Sequence, residues 1–333
     1  MTNRERFMGT LHFHLPSDRL PLLEWASWWD KTIHRWQAEG LSADGDWEAL
    51  RERLGLDFQR QFWISPRGDG FPAMPHGMGP VTDEASYEAL LPHLYPEDAV
   101  SRIRHRLLAL REMQARGDAV VWLTLEGYFW FPRTLFGIEN HLYAFFDEPA
   151  LMHRMNRDLT AFHLRVLDEV RAVLSPDFMT FAEDMSYNQG PMLSREQFDT
   201  FLLPYYRQVV PLVEAMGTLP MVDTDGRVDP MIPWLKAAGI RGVLPLEAQS
   251  GVDVAVIRAE HPDFRLIGGF DKTVMHRGET AMRAEFERLL PVMRTGGFIP
   301  SVDHQTPPAV SLEDYRLYVR LLAEYCRRAC LPH

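Results

Sequence analysis

Short apolar runs that alternate with long stretches of helical period constrain this chain more than any other feature. The runs are LPLLEW (20–25), FWIS (62–65), AVVWLTLE (119–126), DFMTFAED (177–184), LPMVDTD (219–225), GVLPLE (242–247), RLIGGFD (265–271) and GFIPSVD (297–303). Several are almost continuously apolar, as strands buried on both faces are. Between them, 149–174 carries Leu151, Met155, Leu159, Phe162, Val166 and Val170 at helical spacing. Ser194, followed by Glu196 and Gln197, opens a helix predicted over 195–216 with Gly217 as its stop. A helix is also predicted over 228–238, and SLEDYRLYVRLLAEYCRRAC closes the chain as another. Eight strands with intervening helices predict an α/β fold, a (β/α)8 TIM barrel, rather than a doubly wound sheet. With no linker or repeat, residues 1–333 read as a single domain. The segment 28–93 fits the repeat least. It is expected to form an elaborated N-terminal helical region whose loop PRGDGFPAMPHGMGPVTD shapes or covers a pocket.

Composition narrows the partners. A net charge of −11 argues against nucleic acid, whose phosphates need clustered Lys and Arg. The N-terminus lacks the apolar core of a signal peptide, and no stretch reaches about 18 consecutive apolar residues. The expected location is therefore cytoplasmic, with no membrane partner. Cys326 and Cys330, four apart on the last helix, are too few for a structural zinc site and read as reduced thiols. Gly268-Gly269 is not a phosphate loop, and neither GxGxxG nor GxxxxGK[ST] occurs.

Nearly every predicted strand ends in an acid. These are Glu24, Glu126, Glu183 with Asp184, Asp223 with Asp225, Glu247, Asp271, and Asp303 followed by His304. In a barrel such positions converge on the C-terminal mouth, where barrel enzymes place their chemistry. A single acid there would read as a helix cap, and Asp225-Gly226 alone reads as a turn. Agreement at seven strand ends points instead to a carboxylate-rich active site. The expected catalytic group is Asp223, Asp225, His304, Asp303 and Glu247. Imidazole beside carboxylates can act as a base or a ligand near neutral pH. Glu24, Glu126, Glu183, Asp184, Tyr187 and Asp271 are expected to bind substrate, with Lys272 as ion-pair partner to Asp271. Trp130 and Arg133, in GYFWFPRTLFG after a strand, are expected to wall the pocket.

These segments resemble the uroporphyrinogen decarboxylase superfamily, which includes methyltransferases acting on corrinoid proteins and thiols. EDMSYNQGPMLSREQFDTFLLPYYRQVV resembles the family's acidic strand end leading to a Gly-Pro, an S-x-x-x-F helix start and an LPYY helix. VDTDGRVDPMIPWLKAAGIRGVLPLE resembles the next strand-helix-strand, and GGFDK with GGFIPSVDHQTPP resembles the last two strands. Two departures bear on activity. Where porphyrinogen decarboxylases carry an Arg-rich R-Q-A-G-R loop, this chain reads LEWASWWDK, which would repel a polyanionic porphyrinogen. Where the methyltransferase branch carries a His-x-Cys zinc pair, this chain has Asp223-Thr-Asp225, and no cysteine stands near Asp303–His304. A zinc-thiolate site is thereby lost.

The resemblance implies a methyltransferase- or demethylase-like enzyme acting on a small hydrophilic substrate. The cofactor is left open between a divalent metal and a corrinoid carried by a partner protein, as are the methyl donor and acceptor and a homodimer. If a divalent metal is held, Asp223, Asp225 and His304 are its expected ligands. A lyase or decarboxylase using carboxylate and His acid–base chemistry, and a non-catalytic small-molecule binding protein, are the two alternatives.

Overall fold

Seven of the eight predicted runs pair into one parallel sheet. The computed structural model describes residues 1–42 and 47–331, so 43–46 of the N-terminal region lie outside the described residues. The strands are β1 (Gln59–Ile64), β2 (Val120–Glu126) and β3 (Phe178–Ala182), then a hairpin of β4 (Ser186–Tyr187) and β5 (Gly190–Pro191). They continue with β6 (Leu219–Asp223), β7 (Gly242–Leu244), β8 (Arg265–Phe270) and β9 (Phe298–Val302). The sheet order is β1-β2-β3-β6-β7-β8-β9, every neighbouring pair parallel, and the sheet curls into a barrel-like shell.

The eighth predicted strand, 20–25, does not join the ladder. Pro21 removes one donor, and the segment's other groups are taken up piecemeal. Leu22 N–H donates to Asp57 Oδ2 (2.9 Å), the Gln59 amide donates to the Glu24 carbonyl (2.8 Å), and Trp25 N–H donates to Ser301 Oγ (3.3 Å). With Asp57 N–H donating to the Leu22 carbonyl (2.9 Å), the segment fills the gap between β9 and β1 through side chains and isolated backbone bonds.

Alternation along the strands decides what faces inward. A small interior core contains Val120 and Trp122 of β2, Phe178 of β3, Leu219 and Met221 of β6, Ile267 of β8 and Ile299 of β9. The helix Asn3–Leu11, opened by a Thr2/Glu5 capping box, plugs the bottom with Phe7 and Leu11. Phe7 stacks on Phe178 (5.3 Å) and Phe178 on Trp122 (5.1 Å), so the plug is continuous with the cavity floor above it. The intervening residues, such as Met179, Phe181 and Val222, face the surrounding helices in the larger core.

The helix predicted over 195–216 is two helices, Arg195–Phe201 and Leu203–Ala215. Pro204 sits in the first turn of the second, where its missing N–H costs nothing; inside one continuous helix it would break the ladder. Cys326 and Cys330 are both free thiols. No helix among the described residues is long and apolar enough to cross a membrane.

Candidate functional site

A cavity of about 470 Å³ opens at the C-terminal ends of the strands. Its floor is Trp122 with Gln61. Trp122 Nε1–H donates to Thr180 Oγ1 (2.9 Å), and the Gln61 amide donates to Thr124 Oγ1 (2.8 Å). Its walls include Trp25, Trp63 and Trp130, and its acids are Glu183, Asp184, Asp223 and Asp225, joined by His304.

Asp223 continues the inward register of Leu219 and Met221 and faces the cavity. Among the described residues no donor reaches its carboxylate. Burial first, then the neighbouring Asp225 and Asp184, hold its carboxyl well above the usual carboxylate range. His304 Nε2 lies 3.4 Å from Asp225 Oδ2, and this contact raises the imidazole pKa against the opposing effect of burial. Glu247 joins the pair from the loop after β7. Its Oε2 accepts from Gly226 N–H (2.9 Å) and Ser250 Oγ (3.1 Å). Gly226 is required at that turn, because its φ is +76° and a Cβ would lie 2.5 Å from Tyr187 Cα.

Among the described residues, ligand atoms of Asp225, Glu247 and His304 come within 4.8 Å of one another. Glu247 thus takes the place expected for Asp223 beside Asp225 and His304. The set offers one nitrogen donor, one Glu247 oxygen is already engaged, and Asp223 lies outside it.

Several predicted substrate ligands, and Asp303 of the expected catalytic group, are committed to the fold. Glu183 continues the outward register of Met179 and Phe181 instead of the inward one. Its carboxylate accepts from the N–H groups of Tyr128 (2.8 Å), Phe129 (2.7 Å) and Trp130 (3.2 Å) and from the Tyr206 hydroxyl. It therefore anchors the start of the helix Trp130–Phe136 while its edge reaches the cavity, and burial pushes it up to about 7. Gly127 leaves room for it, since a Cβ there would lie 2.0 Å from the Glu183 carboxyl carbon.

Glu24 is buried behind β9, accepting from Tyr315 (2.9 Å) and Ser301 (3.4 Å), and burial raises it to about 8. Glu126 pairs with Arg67 and accepts from Ser65 (3.3 Å), with burial holding its pKa up. Asp271 caps the following turn through Thr273 N–H (2.8 Å) and Oγ1 (2.6 Å). Asp303 is fully buried and accepts from the backbone of Ala248 (3.1 Å) and Lys272 (3.2 Å), and burial raises it to about 6. Lys272 pairs at 3.7 Å with this Asp303, not with Asp271. Tyr187 is exposed on the β4–β5 hairpin, outside the cavity lining.

Trp130 lines the cavity, whereas Arg133, expected to wall it too, lines a neighbouring one instead. The guanidinium lies 5.3 Å from the Trp130 ring and donates to the Asp184 carboxylate (2.9 Å) and carbonyl (3.0 Å). This clasp holds Asp184 at a φ of +43°, a conformation uncommon for non-glycine residues. The loop 66–83 lines a second cavity of about 430 Å³ that shares Trp130 and Asp184 with the first. It is pinned by Val81 N–H to Leu135 (2.9 Å) and Ile138 N–H to Gly77 (2.9 Å), so it flanks the main cavity rather than covering it.

The sequence reading missed Trp25, Ser27, Gln61, Trp63, Trp122, Thr224 and Gln305. The period-two register of β1 and β2 was the available signal for Gln61, Trp63 and Trp122; Trp25, Ser27 and Gln305 depend on loop paths.

The family model for uroporphyrinogen decarboxylase (URO-D) matches residues 76–325. A methyltransferase from Methanosarcina mazei superposes with a TM-score of 0.68 over 98% of this chain and 99% of that one, at 14% identity, which shows a shared fold. A Listeria monocytogenes protein assigned as a vitamin-B12 independent methionine synthase aligns over 93% of this chain and 98% of its own. Its 10% identity and TM-score of 0.46 are too loose to argue from. No curated protein sequence matches the chain.

Proposed function

The chain belongs to the uroporphyrinogen decarboxylase (URO-D) family, and from that premise we propose that its strand-end cavity transfers a methyl group from a small hydrophilic substrate. The observation that carries this reading is Asp223, an inward carboxyl that no donor reaches among the described residues, flanked by Asp184 and Asp225 in a cavity that His304 also lines. When a methyl group leaves a heteroatom, the bonding electron pair stays behind and the heteroatom takes up a proton. Asp223 is placed to supply that proton, and the Asp225–His304 pair to replace it. The kinship in fold with a methyltransferase supports methyl transfer over other chemistry of this family.

The methyl acceptor is a nucleophile brought from outside the chain. A cavity of about 470 Å³ suits a small substrate and not a macrocycle, so a corrinoid on a partner protein would meet the substrate at the rim. Its reduced metal would supply the nucleophile. The acidic lining speaks against a porphyrinogen, as LEWASWWDK does in the sequence.

The test uses free reduced cobalamin as acceptor and a panel of O- and N-methylated small molecules as donors. One donor class should give methylated cobalamin, about 100-fold slower with Asp223→Asn. Methylation that ignores Asp223→Asn would remove the role given to this residue. Consumption of a carboxylated donor without any acceptor would place the chemistry among lyases instead.

A further inference from the structure

Resting on the reading of this cavity as the substrate site, we infer that its substrate is a small methylated ammonium ion, with the positive nitrogen held between tryptophan walls and the Asp223 carboxyl. Four of the chain's nine tryptophans, Trp25, Trp63, Trp122 and Trp130, line this one cavity. Trp122 gives its indole N–H to Thr180 Oγ1, and Trp25 gives its own to the Val302 carbonyl (2.7 Å). What these two offer a ligand is apolar and π surface, not a hydrogen bond. Among the described residues neither Lys nor Arg lines the cavity, while Glu183, Asp184, Asp223 and Asp225 do.

Each other ligand class meets an obstacle. An anion would face four acids with His304 as the one cationic candidate in the lining. A neutral polyol needs donors as well as acceptors, but the lining is richer in acceptors, and the amides of Gln61 and Gln305 each already give one of their two N–H groups, to Thr124 and to Ser27 (3.2 Å). A bare divalent ion uses oxygen and nitrogen ligands but has no use for aromatic walls. A methylated ammonium uses both features: its methyl groups pack on indole faces, and its charge is attracted by the ring quadrupoles and neighbouring carboxylates. After methyl transfer to the corrinoid-type nucleophile, the nitrogen keeps the bonding pair, becomes an amine and takes up the Asp223 proton. The site then again holds a cation.

The experiment is calorimetric titration of the full chain with choline, with its uncharged carbon isostere 3,3-dimethylbutan-1-ol, with glycerol and with manganese(II). Choline should bind saturably, and the isostere about tenfold or more weakly. Trp63→Ala, at an exposed rim position, should weaken choline several-fold, and Trp130→Phe should retain most of the affinity. Asp225→Asn, which removes one of the carboxylates lining the cavity, should weaken choline without a comparable change for the isostere. Equal binding of choline and isostere, or binding of glycerol or manganese(II) with no response to choline, would overturn the inference. Methyl transfer from an O-methylated neutral donor by a chain that ignores choline would sink the ammonium and spare the proposed reaction. Choline binding without any methyl transfer would do the reverse.

Discussion

At the scale of single residues, the site is organised by which carboxylates are left unengaged. Asp271, Glu183 and Asp303 each spend their oxygens on backbone N–H groups, whereas Asp223 has no donor among the described residues. Asp223→Asn keeps the shape and removes the proton carrier. Turnover should fall by about 100-fold or more, while denaturant midpoints at pH 7.5 stay level or rise, because a buried acid with a raised pKa opposes folding there. A large loss of stability in this variant would mean that Asp223 holds the fold, and would remove the argument for its chemistry. The Asp225–Glu247–His304 cluster carries a separate expectation. Elemental analysis of the purified chain should find well under one equivalent of any divalent ion, and chelators should leave its melting temperature unchanged. One tightly bound ion per chain, lost in Asp225→Asn, would reassign the cluster as a metal centre.

At the scale of elements, the strand register explains both what the sequence disclosed and what it hid. Alternation of apolar runs with helical stretches reveals the barrel-like sheet, because buried parallel strands and amphipathic helices have different periods. It also leads to the acidic strand ends. It does not say that Glu183, one step out of register with Phe178 and Thr180, turns toward the helix Trp130–Phe136. Counting parity from the interior residues Leu219 and Met221 would have singled out Asp223. Glu24 was hidden for another reason. Its segment looks like a strand but is tied in by side chains and isolated backbone bonds, so its acid ends beneath the neighbouring helix at Tyr315 rather than at the mouth. Because Glu183 satisfies three N–H groups at a helix start, Glu183→Ala should cost about 2–4 kcal/mol in chemical denaturation. Gly127→Ala, which pushes on the same carboxylate, should be destabilising in the same direction. If Glu183→Ala unfolds at the wild-type denaturant concentration, the anchoring role is wrong and the carboxylate belongs to the ligand.

At the scale of the whole molecule, the buried ionisable groups give stability a direction with pH. Burial raises Glu24 to about 8 and Glu183 to about 7 from 4.5, and holds Asp223 well above its ordinary value. A carboxyl with a raised folded pKa is protonated in the folded chain but ionised in the unfolded one between the two values. The folded state then binds more protons, and stability falls as pH rises through that interval. His304, raised from 6.5, acts in the same direction, since its protonated form is favoured by folding and is lost as pH climbs through the raised value. The buried His141 and His163, both lowered to about 3 from 6.5, act oppositely, but only below 6.5, where the unfolded imidazoles become charged. Below 6.5 the two effects therefore offset one another, and between 6.5 and about 8 the carboxyls and His304 act unopposed. The melting temperature should accordingly decline from pH 6.5 to pH 8 in calorimetric scans at constant ionic strength. Glu24→Gln, which preserves an acceptor for Tyr315, should flatten that decline by removing the acid that titrates after Glu183. A melting temperature that is level or rising across this window would show that these acids are ionised in the folded chain, and a bound cation in the mouth would then have to be what stabilises them.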